Sequence, residues 1–255
     1  MAITKSRQPI AAMRCFLFAV LTGLFVQAAA AQSTDREQAL PFKLTTGFYQ
    51  YSGADSQNGP AIDINLRYSS AAGNVWLGHY VSWAQELKQD RIGWDRSFPV
   101  GPVRLMPSLQ LATGAAWNGS VSVETGDDWF IGAGLGRTNL REAVNLNFDP
   151  NDSYSVSGGY RWHESESLSF LLVRDNRLHP DQQHLHLIYH TPLQGEHRLS
   201  IDLLLKNGLV DNEYIERAGL SVTYDWPRWF VRVSYDPKVN FTPQDLWRLA
   251  VGTRF

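Results

Sequence analysis

The sequence has almost no cysteine and, beyond its first residues, no long apolar run. Its single cysteine, Cys15, falls within residues 1–31. A small secreted scaffold held together by disulfides is therefore excluded. Transmembrane helices after residue 31 are excluded as well, because a spanning helix needs about 20 consecutive apolar residues.

Residues 1–31 have the pattern of a secretory signal peptide. The basic residues at its start are Lys5, Arg7 and Arg14. An apolar core over 15–26 follows, which at about a dozen residues is too short for a comfortable span. The alanines at 29–31 offer a cleavage site before Gln32. We therefore expect residues 1–31 to be removed from the mature protein.

The mature chain also lacks an excess of positive charge. The sequence has 23 basic and 25 acidic residues, and removing the three basic residues of the signal leaves 20 against 25. No basic stripe with interleaved aromatic residues is present. These features argue against nucleic acid as a partner.

Aromatic residues, in contrast, are plentiful. The chain has 9 tryptophans, 10 tyrosines and 12 phenylalanines, although its mean hydropathy is only −0.27. Alternation of apolar and polar residues produces this combination. In 61–68, for example, the apolar set Ile62, Ile64, Leu66 and Tyr68 alternates with Asp63, Asn65 and Arg67. Since successive side chains of a strand point to opposite faces, such segments predict strands with one apolar face.

Fourteen segments of this kind follow one another along the chain. Strands are predicted over 43–51, 61–68, 74–83, 90–98, 103–112, 116–125, 129–137, 153–162, 167–175, 183–191, 197–206, 215–226, 228–236 and 246–255. Short and long connections alternate between them. The long connections are predicted at 52–60, 84–89, 138–152, 176–182, 207–214 and 237–245. Twelve or sixteen strands also fit the pattern, because strand boundaries are the least certain feature of a sequence.

The last ten residues are the most specific segment. Trp247, Leu249, Val251 and Phe255 share one face of the predicted strand, and the chain stops at Phe255. This resembles the closing strand of bacterial outer-membrane β-barrel proteins, in which the C-terminal aromatic residue is read by the barrel-assembly machinery. The resemblance rests on the signal, the strand pattern and this strand.

The resemblance implies an all-β fold with a single antiparallel transmembrane β-barrel over 43–255, preceded by a periplasmic lead-in over 32–42. It also implies the outer membrane of a Gram-negative bacterium as the location. Membrane lipid, lipopolysaccharide and the assembly machinery would then be partners. Tryptophans near strand ends favour this arrangement, because such barrels carry aromatic girdles at both interfaces. A soluble periplasmic sandwich or lipocalin-like barrel, with the apolar face inside, remains the alternative.

In a membrane barrel the polar face would line the lumen. The predicted pore-lining residues are Asp63, Arg67, Arg104, Glu124, Arg161, Arg198, Asp202, Arg217, Asp225, Arg232 and Arg248. Rings of charged side chains set the selectivity of pores. The pattern therefore predicts a pore for small polar or anionic solutes. A lumen closed by its own salt bridges, in a barrel with a structural or accessory role, is the alternative.

Histidines form the densest titratable group. His184, His186 and His190 share one face of the strand 183–191, and imidazoles at i and i+2 can bind one zinc, copper or nickel ion. His190 lies about 13 Å from His186 at the rise of a strand and is too distant to join them. Asp181 or His179 in the preceding connection could supply a further ligand. The simpler interpretation is that these are lumen residues without a metal, and we expect no cofactor.

Two further features leave alternatives open. A hydrolase facing lipid would need a nucleophile beside its base, and the candidates are His79 near Ser82 and His163 with Ser165. Neither pair matches a known barrel-enzyme pattern, so an enzyme is not favoured.

The connection 137–152 carries turn-forming residues and oxygen ligands that could bind a surface calcium ion. If it folds inward, it would constrict the pore.

Overall fold

The structure is a computed structural model that describes residues 40–53, 58–141, 144, 146, 149, 151–163, 166–210 and 213–255. The predicted signal peptide and residues 32–39 of the predicted lead-in lie outside these residues. Among the residues described, no helix is long and apolar enough to cross a membrane.

The described chain forms a single antiparallel sheet of fifteen strands. The strands are β1 (Phe42–Gly53), β2 (Gly59–Ser70), β3 (Gly73–Ser82), β4 (Leu87–Asp95), β5 (Phe98–Val100), β6 (Val103–Ala112), β7 (Ala116–Thr125), β8 (Trp129–Thr138), β9 (Ser153–His163), β10 (Glu166–Asp175), β11 (Gln183–Pro192), β12 (Arg198–Val210), β13 (Glu213–Asp225), β14 (Trp229–Asp236) and β15 (Gln244–Arg254). A short 3-10 helix, Val239–Phe241, precedes β15.

Fourteen of these strands close into a barrel. Each pairs with its neighbours in sequence, β1 pairs with β15, and β4 pairs with β6. The remaining strand, β5, has three residues and pairs with β6 beyond the end of β4. The predicted all-β barrel of fourteen strands is therefore confirmed. A closed barrel leaves no sheet edge, so each of its fourteen strands has a backbone partner on both sides.

The two termini of the barrel meet at one end. Phe42 and Phe255 exchange backbone hydrogen bonds of 3.0 Å, and their rings stack with centroids 5.6 Å apart. In β1 and β15, Lys43 lies opposite Arg254 and Gly53 opposite Gln244. The long connections leave the barrel from the opposite end, which we call the loop end.

The apolar face of the strands lies on the outside of the barrel. Ile64 and Leu203 are 45% and 37% exposed, whereas the neighbouring Asp63 is 8% exposed. Exposed tryptophans lie near both ends, with Trp129 and Trp229 at the terminal end and Trp83 and Trp247 at the loop end. The soluble alternative, with this face packed inside, is therefore wrong.

One predicted long connection is much shorter in the structure. Strand β12 continues to Val210 and β13 begins at Glu213, so the expected loop over 207–214 is mostly paired strand. Gly208 lies within this paired segment at a close approach to the residue before β11. A Cβ at this position would lie 2.8 Å from the Cα of Gln182.

An apolar cluster occupies the interior near the loop end. Its buried members are Tyr49, Tyr51, Ala61, Tyr80, Val144, Val239 and Leu246, with Leu87 and Leu146 packed against them. Most of these residues come from β1, β2, β3 and β15, but Val144 and Leu146 belong to the connection 139–152. These two described residues of the connection therefore lie inside the barrel.

Candidate functional site

The connection 139–152 is anchored to the barrel wall at its middle. Val144 is 8% exposed in the apolar cluster. Its backbone N–H donates to Oε1 of Gln89 on β4 at 2.8 Å. The carbonyl oxygen of Leu146 accepts a hydrogen bond of 3.0 Å from Nη1 of Arg248 on β15. The described part of the connection is thus held inside the barrel by backbone contacts as well as by packing.

Further along, the connection meets the histidines of β11. Asp149 Oδ1 lies 3.1 Å from His184 Nδ1 and 3.0 Å from His186 Nε2. The three side chains are almost fully buried, and His184 has no exposed surface. Asp149 is therefore a third member of the predicted histidine site, in place of Asp181 or His179.

The carboxyl of Asp149 is ionised in this setting. Burial alone would raise its pKa, but the charge of His186 and the hydrogen bonds from both imidazoles outweigh burial and hold the pKa below its usual range. A second carboxylate lies on the other side of the His186 ring. Asp202 on β12 accepts a hydrogen bond of 2.9 Å from Nδ1 of His186.

The connection is fixed again where it returns to β9. Asp152 accepts hydrogen bonds from the hydroxyl of Thr138 at 2.6 Å and from Arg177 at 3.2 Å. Asp149 and Asp152 are therefore both buried and make these contacts within the protein, and the calcium site considered from the sequence stays a prediction.

Towards the terminal end, several predicted lumen residues form ion pairs. Glu124 is 3% exposed and accepts from both Arg104 and Arg161 at 2.9 Å. Asp225 receives a two-pronged contact from Arg254 at 2.8 and 2.9 Å. Such bidentate pairs fix the arginine as well as neutralising it.

Two more predicted lumen residues have partners on nearby strands. Arg67 donates to Asp95 at 2.9 Å, and Asp63 pairs with Arg91 on β4. Strands β2 and β4 are thereby tied together across β3. These pairs balance the charge of the lumen wall on this side of the barrel.

The other arginines differ in their surroundings. Arg232 is half-buried and donates from Nε to the hydroxyl of Thr223 at 2.9 Å. Arg248 is half-buried beside the inward connection, with its guanidinium carbon 5.6 Å from the ring centre of Tyr49. Arg198 is half-buried and lies opposite Asp225 in register. Arg217 is exposed near the loop end.

Sequence reasoning did not predict the contact between Asp149 of the connection and the histidines of β11. Strand parity identifies His184 and His186, but nothing in it brings Asp149 to them from 35 positions earlier. The pair of Lys206 with Asp236 beside them was also not expected as a contact. The sequence offered only the alternative in which 137–152 folds inward, and it did not indicate which residues of the barrel wall this connection would contact.

The hydrolase candidates receive little support. His79 Nδ1 lies 2.6 Å from Asp90 Oδ1, and both side chains are exposed on the outer surface. Within the described residues, the hydrogen bonds bring no serine hydroxyl to this imidazole. Ser165, the other candidate nucleophile, lies outside the described residues.

Comparison with known proteins finds similarity in structure but not in sequence. No protein-family model and no curated protein sequence matches this chain. The barrel is similar to the outer membrane protein Omp33 of Acinetobacter baumannii, with a TM-score of 0.55, 13% identity, and 85% of this chain and 98% of that chain covered. It also matches Salmonella typhi OmpF in complex with daunomycin, with a TM-score of 0.45 and 9% identity over 84% of this chain and 96% of that chain.

A mutant porin of Rh. blastica gives a third match, with a TM-score of 0.45 and 9% identity over 84% of this chain and 99% of that chain. Of the three matches, that with Omp33 is close enough to show a shared fold. The predicted outer-membrane β-barrel is therefore confirmed at the level of the fold.

Proposed function

We propose that this chain is a pore in the outer membrane of a Gram-negative bacterium and that small polar solutes, anions above all, diffuse through it. The observation that carries this proposal is that Val144 and Leu146, described residues of the connection 139–152, are held inside the barrel by Gln89 and Arg248. A segment held there would narrow the lumen. Solutes would then pass between this segment and the facing wall.

Charge beside the inward segment supports a preference for anions. Arg232 and Arg248 lie on the neighbouring strands β14 and β15 and are both half-buried. The acidic residues nearer the terminal end are matched by arginines of their own, as with Glu124. Charged groups lining a narrow passage act strongly on a permeating ion, because little water remains to screen them.

The ion pairs of the lumen wall would serve a second purpose in such a pore, because paired side chains would keep the width of the passage constant. The predicted lining residues in these pairs are Arg67, Arg104, Arg161, Asp63 and Asp225. Arg198, Asp202 and Arg217 complete the proposed lining.

The outer surface supports the membrane location. Apolar side chains cover the barrel wall, and exposed tryptophans mark both ends, as in barrels that contact acyl chains and headgroups. We propose outer-membrane lipid and lipopolysaccharide as the surroundings of this surface. Trp247 and Phe255, both exposed on the closing strand, would be read by the barrel-assembly machinery.

The direct test is conductance of the purified protein in planar lipid bilayers. Folding is first verified by the shift in gel mobility between heated and unheated samples. We expect discrete conductance steps and, in a salt gradient, a reversal potential of the sign for anion selectivity. Heat-denatured protein is the matched control and should give no steps.

A folded protein that leaves the bilayer silent would contradict the pore and favour a barrel with a structural role. Release of fatty acid from lipid by the folded protein, lost on His79→Ala, would instead favour the hydrolase. The two measurements use the same preparation, so their outcomes can be compared directly.

A further inference from the structure

Three potential metal ligands meet inside the barrel where the connection 139–152 touches β11. Nitrogen atoms of His184 and His186 and a carboxylate oxygen of Asp149 all lie within 4.8 Å of one another. Each of the three side chains is buried. Two imidazoles and one carboxylate are a ligand set that binds zinc in proteins, with the fourth position left to water.

The spacing of the donor atoms suits a small tetrahedral ion. Zinc binds nitrogen and oxygen at about 2.0–2.1 Å, so two of its ligands lie about 3.3 Å apart. Asp149 Oδ1 lies 3.1 Å from His184 Nδ1 and 3.0 Å from His186 Nε2. The Asp149 oxygen is therefore within a few tenths of an ångström of the spacing that zinc requires to each imidazole nitrogen, and donor atoms of all three residues lie within 4.8 Å of one another.

The surroundings orient both rings. Nδ1 of His186 faces Asp202, which leaves Nε2 aimed at Asp149. Metal-bound histidines commonly donate their other nitrogen to a carboxylate in this way. The ring of His184 stacks on Phe241, with centroids 5.3 Å apart and planes tilted by 25°. Phe241 belongs to the 3-10 helix, so two connections and two strands build this site.

From these observations we propose that a divalent transition-metal ion, of which Zn²⁺ is the type, binds to Asp149, His184 and His186. Asp202 is the positioning residue that holds His186. Because Asp149 lies on the inward connection and the histidines lie on the wall, the ion fixes the connection inside the barrel. Any effect of the ion on conductance rests on the proposed pore, but binding itself does not.

The test uses the refolded barrel without an affinity tag, stripped of metal by a chelator. Zn²⁺ binding is measured by titration calorimetry, and Co²⁺ serves as a probe whose visible absorption reports tetrahedral nitrogen and oxygen ligands. We expect one ion per chain. Asp149→Asn and His186→Ala should abolish saturable binding. Asp202→Asn should weaken binding roughly 10- to 100-fold, as loss of an outer carboxylate does.

Two histidines provide matched controls. His190 shares the strand and face of the site but contacts Ser200 at 2.6 Å, so His190→Ala should leave binding unchanged. His79 pairs with Asp90 on the outer surface without a second histidine, so His79→Ala should be equally silent. Folding of every variant is checked by gel mobility, and Asp149→Asn changes no strand residue.

Binding that survives both Asp149→Asn and His186→Ala would overturn the proposal. So would a folded wild-type barrel that binds none of Zn²⁺, Co²⁺, Ni²⁺ and Cu²⁺. Calorimetry and absorption are carried out in detergent and need no conductance. A protein that conducts but binds no metal refutes the metal site alone, and one that binds metal but does not conduct refutes the pore alone.

Discussion

Arg248 on the closing strand donates a hydrogen bond of 3.0 Å to the carbonyl oxygen of Leu146, 102 positions earlier in the chain. The contact joins the barrel wall to the connection that enters the lumen. The same guanidinium also lies 5.6 Å from the ring centre of Tyr49. One side chain therefore both anchors the connection and places positive charge beside it.

Replacing Arg248 should change selectivity and conductance together. Arg248→Ala removes a positive charge and frees the Leu146 carbonyl, so we expect a reversal potential shifted towards cations and a larger conductance step. Arg248→Lys keeps the charge and should retain most of the selectivity. Both are measured in planar bilayers under a salt gradient.

Arg174→Ala is the matched control for this pair of variants. Arg174 is exposed on the outward face of β10, with Leu168 and Phe170, and donates to the backbone oxygen of Pro180, so its loss should leave the reversal potential nearly unchanged. A reversal potential unchanged in Arg248→Ala would mean that this arginine does not act on permeating ions.

Packing of Val144 should decide whether the connection stays inside. Val144→Asp buries a carboxylate among Tyr49, Leu246 and their neighbours, where an unpaired charge is costly. Moving the connection out of the lumen relieves this cost more easily than unfolding the barrel. We expect larger conductance steps with gel mobility unchanged.

The control for this variant lies on the same connection. Leu140 is 47% exposed, so Leu140→Asp places a charge in solvent and should leave the steps at their original size. Equal conductance in wild type and Val144→Asp would show that the inward course of the connection does not limit the passage.

The ion-pair group around Glu124 should contribute to barrel stability. Glu124→Gln leaves Arg104 and Arg161 sharing a neutral amide, and lost hydrogen bonds to charged groups typically cost about 1.5–3 kcal/mol. The expected loss lies near the lower figure because Arg104 is partly exposed. Urea unfolding followed by tryptophan fluorescence measures it.

Glu213→Gln, at an exposed strand start, should change the free energy of unfolding by less than about 0.5 kcal/mol. If Glu124→Gln were no more destabilising than Glu213→Gln, the ion pairs of Glu124 would not contribute to the free energy of unfolding.

The barrel itself could be predicted from local pattern. Alternation over 61–68 already separates Ile64 from Asp63, and the structure places the first outside and the second inside. Alternation works because every strand of a closed barrel meets the same two environments. It failed over 207–214, which was predicted as a long connection although the pairing of β12 with β13 continues. Ladder hydrogen bonds outweighed the local turn preference there.

The site could be predicted only in part, because its assembly depends on a long-range contact. His184 and His186 follow from strand parity, but Asp149 reaches them through a connection whose course no local rule determines. The buried Tyr49, Tyr51 and Tyr80 were equally unexpected inside a lumen. They pack there because the connection brings Val144 to them, so an apolar residue on the inner face is explained only by its distant partner.

Close packing at Gly252 offers a further test of the inner wall. The ring of Phe230 lies over this glycine, where a Cβ would overlap it, and Lys43 Nζ lies 4.7 Å from the centre of the same ring. Gly252→Ala must displace the ring and should lower the free energy of unfolding by about 1–3 kcal/mol. Gly119→Ala is the control, because a Cβ there would come no closer than 3.8 Å to Trp117.

Combining Gly252→Ala with Phe230→Ala should lower the free energy of unfolding by less than the sum of the single changes, since the overlap is gone. Strict additivity in urea unfolding would show that the ring does not hold this position.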